Sequence, residues 1–127
     1  MKYNSFKDMP VWKEAMDIAE AVFKITEGLP KKEDYGLTSQ VRRSALSMSG
    51  NIAEAFGRYH INDKINFYYF SRGSITETSS HLEYGVRVGY FDREQTKIIS
   101  DKLDNLLEEI NRLVKSLKSH TKPKSQP

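Results

Sequence analysis

Apolar positions recur at steps of three and four through most of this chain. From residue 9 to 27 the stripe is Trp12, Ala15, Ala19, Val22 and Thr26, widened by Val11, Ile18 and Phe23. This period predicts an amphipathic helix, with Asp8 as N-cap, Pro10 in its first turn and Gly28-Leu29-Pro30 as its stop. After a KKEDYG loop, a second helix is predicted over about 36–60. Its seam, Val41, Ala45, Met48, Ile52, Ala55 and Tyr59, steps 4, 3, 4, 3 and 4. A third helix, capped by Asn62 and running to about Val88, draws apolar mass from Ile65, Phe67, Phe70, Ile75, Leu82 and Val86, and Gly89 closes it. Asp92, with Gln95 three residues on, predicts the cap of a fourth helix. The seam of this last helix is Ile99, Leu103, Leu106, Ile110, Leu113 and Leu117. Four long helices, short loops and no strand pattern predict an all-α, up-down-up-down antiparallel four-helix bundle over residues 1–118. The aperiodic 119–127 segment is expected to be a disordered basic tail.

A chain of 127 residues with 38% hydrophobic positions suits one domain with a real core. Cysteine is absent, so no disulfide framework or thiolate zinc site is available, and a reducing, cytoplasmic setting is the default expectation. Charged residues interrupt every hydrophobic stretch well short of a membrane span, and no run of signal-peptide length opens the sequence. The net charge of +3 is unevenly spread. Lys and Arg against Asp and Glu count 6 to 7 over residues 1–37, 5 to 2 over 38–73, 4 to 8 over 74–109, and 5 to none over 110–127. Such asymmetry suits either a polyanionic partner or a solvated surface with a basic tail.

Catalytic patterns are missing. No Glu-x-x-His pair of the kind bundle di-metal centres use is present, nor a nucleophile elbow, a P-loop or a dinucleotide fingerprint. Glu77 and His81, one turn apart, read best as a helix-surface pair. No cofactor or metal is predicted, and no enzymatic activity. In the run Phe67-Tyr68-Tyr69-Phe70, the phenylalanines are expected in the core, with the tyrosines covering an edge or an interface.

The second helix carries the most information. At about 100° per residue, Gln40, Arg43, Ser47, Asn51, Glu54 and Arg58 fall within about 80° of arc, a uniformly polar row. Leu46, Ser49, Gly50, Ala53 and Gly57 form a second face of mostly small residues, suited to close approach by another helix. An oligomer interface is the natural candidate. The polar row is either a network across that interface or a row facing a ligand. Arg42 and Arg43 point about 100° apart, so one is expected to serve assembly and the other a ligand.

These residues resemble a family. Tyr35 to Ala45 (YGLTSQVRRSA), then Ser47, Asn51-Ile52-Ala53-Glu54 and Phe56-Gly57-Arg58, are similar to the signature of the bacterial four-helix-bundle proteins encoded in 23S ribosomal RNA intervening sequences, also labelled S23 ribosomal protein. Phe6, Val11-Trp12, Ala15, Gly73-Ser74, Glu77 and Gly89-Tyr90 extend the likeness over residues 5–118. The resemblance implies a homopentameric ring. It also implies kinship with the retroelement accessory protein that binds nucleic acid through a basic surface and associates with a reverse transcriptase. Ser49 and Ala55 stand where the family usually has Pro and Gly, which predicts a straighter second helix, and Thr78 stands where it tends to have Leu. The expected function is non-enzymatic, oligomeric binding of RNA or RNA/DNA through phosphates, by Arg42, Arg43, Arg58, Lys64, Lys115 and Lys118. Gln40, Ser47, Gly50, Asn51, Glu54 and Gly57 are expected at an interface or in a polar network. The alternative is an oligomeric adaptor for another protein.

Overall fold

A computed structural model describes residues 3–121. Its four helices are α1 (Pro10–Thr26), α2 (Leu37–Gly57), α3 (Ile61–Arg87) and α4 (Arg93–Thr121), with single 3-10 turns at Phe6–Asp8 and Lys31–Glu33. Each helix packs against its neighbours in sequence, and α4 closes back on α1, so the bundle is a four-membered ring in which, among the described residues, diagonal helices do not approach closely at the backbone and meet only through core side chains. Partner numbers across α2 and α3 run in opposite directions: Arg43 meets Glu77, Ser47 meets Ser74, and Met48 meets Ser71. That falling register is the mark of an antiparallel pair.

The core is made of the periodic positions. Val41, Ala45, Met48, Ile52 and Ala55 from α2 meet Ile18 and Val22 from α1, Ile75 and Leu82 from α3, and Leu103, Leu106 and Ile110 from α4. Between α2 and α3 the filling is small and hydroxylic. Ser44 and Thr78 share a 2.8 Å hydrogen bond, and Ser71 Oγ donates to the Met48 carbonyl at 3.0 Å. These hydroxyls are tolerable at this depth because each has a partner, whereas the buried Thr38 Oγ1 on α2 has none among the described residues. α3 ends at Arg87 and the chain turns away at Gly89, whose φ of +89° favours glycine, while the Tyr90 and Phe91 N–H groups return to the Gly85 carbonyl. The buried Phe91 ring lies where a Cβ at residue 85 would stand, so Gly85 is required by packing.

Several local expectations are corrected. The α1 cap is the Met9 backbone and not Asp8, which belongs to the preceding 3-10 turn. α3 begins at Ile61 behind His60, placing Asn62 inside the first turn. Asp92 does cap α4, its carboxylate accepting from the Gln95 N–H at 3.0 Å. Tyr59 is 89% exposed, because α2 ends at Gly57 and the seam arithmetic runs past its end. In the aromatic run it is Tyr68 that is buried, while Phe70 is 57% exposed. The inward line of α3 passes through Ile65, Tyr68, Ser71, Ile75, Thr78 and Leu82, half of it polar and so invisible to a count of apolar residues. α2 is one unbroken helix through Ser49, in line with the absence of proline there. α4 continues to Thr121, beyond the boundary expected at residue 118, and the rest of the expected tail lies outside the described residues.

Candidate nucleic-acid interface

The polar row of α2 faces α3 of its own chain. Arg43 Nη2 donates to Gln40 at 2.8 Å and to Glu77 Oε2 at 3.1 Å, and the same carboxylate oxygen lies 3.2 Å from His81 Nε2. Farther along, Ser74 Oγ donates to Ser47 Oγ at 2.9 Å, and Asn51 Nδ2 donates to the Ser47 carbonyl and hydroxyl. At the end of the row Arg58 pairs with Glu54 at 2.9 Å and lies 4.6 Å from the centre of the Phe67 ring. All six members are therefore engaged within one chain, and the row is the outer edge of the α2–α3 seam. The small-residue face is different. Ser49 is buried and donates to the Leu46 carbonyl, but Leu46 is 60% exposed, and nothing lies within 4 Å of where a Cβ would stand at Gly50 or Gly57.

The two adjacent arginines separate as their angles predict. Arg42 turns to α1, with Nε donating to Thr26 Oγ1 at 2.7 Å, Nη2 to the Phe23 carbonyl at 3.3 Å, and its guanidinium 4.3 Å from the Phe23 ring centre. A cation on the last carbonyls of a helix complements the negative end of its dipole. Arg42 is thus a clamp between α1 and α2.

Four of the six predicted binding residues lie toward one end of the bundle. Antiparallel alternation places the end of α2, the start of α3 and the end of α4 together, and with them Arg58, Lys64, Lys115 and Lys118. Arg42 and Arg43 belong to the opposite half, near the start of α2. Lys64 Nζ donates to the Ala55 and Phe56 carbonyls, both at 3.1 Å, so it caps α2, and burial lowers its pKa. Lys118 lies 5.5 Å from the Tyr69 ring centre and Arg72 5.3 Å from the same ring. Lys115 and Arg112 are exposed on the last turns of α4. Sequence reasoning passed over Arg72 and Arg112. The usable signal was that Arg72 follows Tyr69 by three residues, a spacing that brings the two together on a helix.

A second feature had no sequence signal. Between α1 and α4 lies an open cleft of about 350 Å³ lined by Glu14, Asp17, Ile18, Asp101, Lys102 and Asn105. Asn105 Nδ2 donates to Glu14 at 3.2 Å and to Glu109 at 3.0 Å, bridging two carboxylates on different helices. Burial, then the neighbouring Glu109 carboxylate, pushes the Glu14 pKa up to about 7. Among the described residues no group of three or more His, Cys, Asp or Glu side chains is arranged to hold a metal ion, and no helix is long and apolar enough to cross a membrane.

An all-α bundle with an internally satisfied polar seam and one cation-rich end is the class these features define. Within that class, residues 7–116 match the family described as 23S rRNA-intervening sequence protein, and the chain belongs to that family. No curated protein matches it. Among solved structures it is similar to a protein of unknown function from the S23 ribosomal protein family of Bacteroides thetaiotaomicron. The likeness has a TM-score of 0.74 at 23% identity, over 83% of this chain and 98% of that one. At that identity the likeness carries the fold.

Proposed function

We propose that the protein is a non-enzymatic, oligomeric nucleic-acid-binding protein that holds RNA or RNA/DNA mainly by its phosphates. The supporting observation is that Arg58, Lys64, Lys115 and Lys118 lie toward the same end of the bundle, with Arg72 and Arg112 farther along α3 and α4. Cations gathered toward one end of a folded domain raise the local concentration of a polyanion and release its counterions on contact. Lys115, Lys118 and Arg112 contact phosphate, while Lys64 and Arg42 chiefly hold helix ends. Oligomerisation uses the exposed face of Leu46, Gly50 and Gly57, where a neighbouring helix can approach α2 closely.

The test is a salt titration of binding to a labelled RNA. Each phosphate neutralised contributes a slope of about −0.7 to −0.9 in log K against log salt, and K115Q/K118Q lowers that slope by about 1.5. Binding that ignores salt contradicts the reading. A second reading, an adaptor for a basic protein partner, is favoured by the acidic α1–α4 cleft. In that case a partner recovered by pull-down survives nuclease treatment and is lost on D17N/D101N.

A further inference from the structure

The connector between α2 and α3 is short and carries an unusual composition. Residues 58–60 are extended at both ends, with Arg58 at φ −82°, ψ 147° and His60 at φ −83°, ψ 140°. Turns of this length ordinarily use Gly, Asn, Asp, Ser or Pro, each for a conformational reason. Here Tyr59 and His60 occupy the tip. Tyr59 is 89% exposed and His60 is exposed too, so neither ring contributes appreciable apolar burial to the bundle. The rings meet edge to face with centroids 5.0 Å apart at 84°, an arrangement that leaves ring face open to solvent.

Beside the rings lies a shallow recess of about 630 Å³ lined by Tyr59, His60, Ile61, Asn62 and Asp63. Its chemistry is aromatic faces, one aliphatic wall, an amide and a carboxylate. Asp63 makes it a poor place for a phosphate. A planar base fits better: it stacks on an aromatic face, and its edge meets the amide and the carboxylate, which accepts from an exocyclic amino group. The backbone attached to such a base has cations to run along, since Arg58 adjoins the tip and Lys115 and Lys118 stand at the same end of the bundle.

We infer that the Tyr59-His60 tip is a stacking platform for an unpaired nucleobase, whose edge Asn62 and Asp63 contact. This rests on the reading of the basic end as a nucleic-acid surface, and it narrows the ligand to a strand with at least one unpaired base. In a duplex the bases are stacked on one another and their faces are not available to the tip.

The test compares wild type, Y59A and Y59F by fluorescence anisotropy. The probes are a fluorescein-labelled single-stranded RNA of roughly 12 nucleotides and the same strand annealed to its complement. One stacked base lost corresponds to about tenfold weaker binding. Y59A is therefore expected to bind the single strand about tenfold more weakly and the duplex unchanged, while Y59F retains wild-type binding to both. Thermal melts of the three proteins coincide, because the ring is outside the core. Equal loss on both probes, or no loss on either, overturns the platform and leaves the salt-dependent reading of the basic end standing. If wild type binds neither probe at low salt, both readings fall.

Discussion

The seam between α2 and α3 and the seam between α1 and α4 solve the same packing problem with opposite chemistry. At the first, small hydroxyl residues let two backbones approach, and each buried oxygen finds a partner: Ser44 with Thr78, Ser71 with the Met48 carbonyl, Ser74 with Ser47. At the second, carboxylates from both helices, Glu14 and Glu109, face each other across Asn105 beside an open cleft. Neutral hydrogen bonds in a close-packed seam do not respond to proton concentration, whereas opposed carboxylates do. The inner contacts of the first seam are therefore neutral hydrogen bonds, while at the second burial and the facing Glu109 carboxylate raise the pKa of Glu14.

The largest effect is expected where the packing is tightest. Ser44→Leu places an isobutyl group at a fully buried site between α2 and α3 and separates Thr78 from its hydroxyl partner. The expected loss is about 1–3 kcal/mol, read as a lower urea midpoint with an unchanged m-value. An unchanged midpoint contradicts the close-packed description of this seam.

Glu14→Gln probes the other seam and is smaller. With a folded pKa of about 7 against an ordinary 4.5, Glu14 binds its proton more tightly in the folded state. Its contribution to stability is therefore fully present below about pH 4.5 and is lost as pH rises through about 7. The facing groups are Asp17 on α1 and Asp101, Lys102, Asn105 and Glu109 on α4. The wild-type Tm should fall over this window. Glu14→Gln should flatten that fall, recovering less than about 1 kcal/mol at neutral pH, since the group is partly solvated. Parallel Tm-against-pH curves for the two proteins would remove the carboxylate pair as the cause.

Arg43→Ala is the smallest. Its ion pair with Glu77 joins side chains that are 61% and 40% exposed. The cost should be below about 0.5 kcal/mol and fade with salt. A loss several times larger would mean that the outer edge of the α2–α3 seam carries load the inner hydroxyls were assigned.

How far the pattern of residues announced these seams depends on what fills them. The apolar lines of α2 and α4 read directly, because Val41 to Ala55 and Ile99 to Ile110 are hydrophobic at almost every inward turn. The inward line of α3 did not. Ser71, Ser74, Thr78 and Gly85 all lie inside, and Tyr68, whose hydroxyl burial pushes up to about 12 in pKa, takes a place expected of a phenylalanine. The α2 polar row was legible as a row, since a single helix fixes relative angle. Its partner was not, because which neighbour a face meets is a property of the assembled bundle.

By itself, then, the order of residues determined the number of helices, their approximate ends, the direction in which Arg42 and Arg43 diverge, and the family. The helix count, the ends and the divergence of the arginines follow from local geometry repeated every 3.6 residues, whereas the family is carried by the particular residues of the second-helix motif and the match over residues 7–116. Tertiary structure alone decided the rest. It turned the polar row onto α3, set Arg42 on the end of α1, drew Lys64 onto the last carbonyls of α2, and carried cations more than fifty positions apart in the chain to one end of the bundle. Those outcomes depend on which residues become neighbours when helices pack, and periodicity along one helix holds no information about the helix across from it.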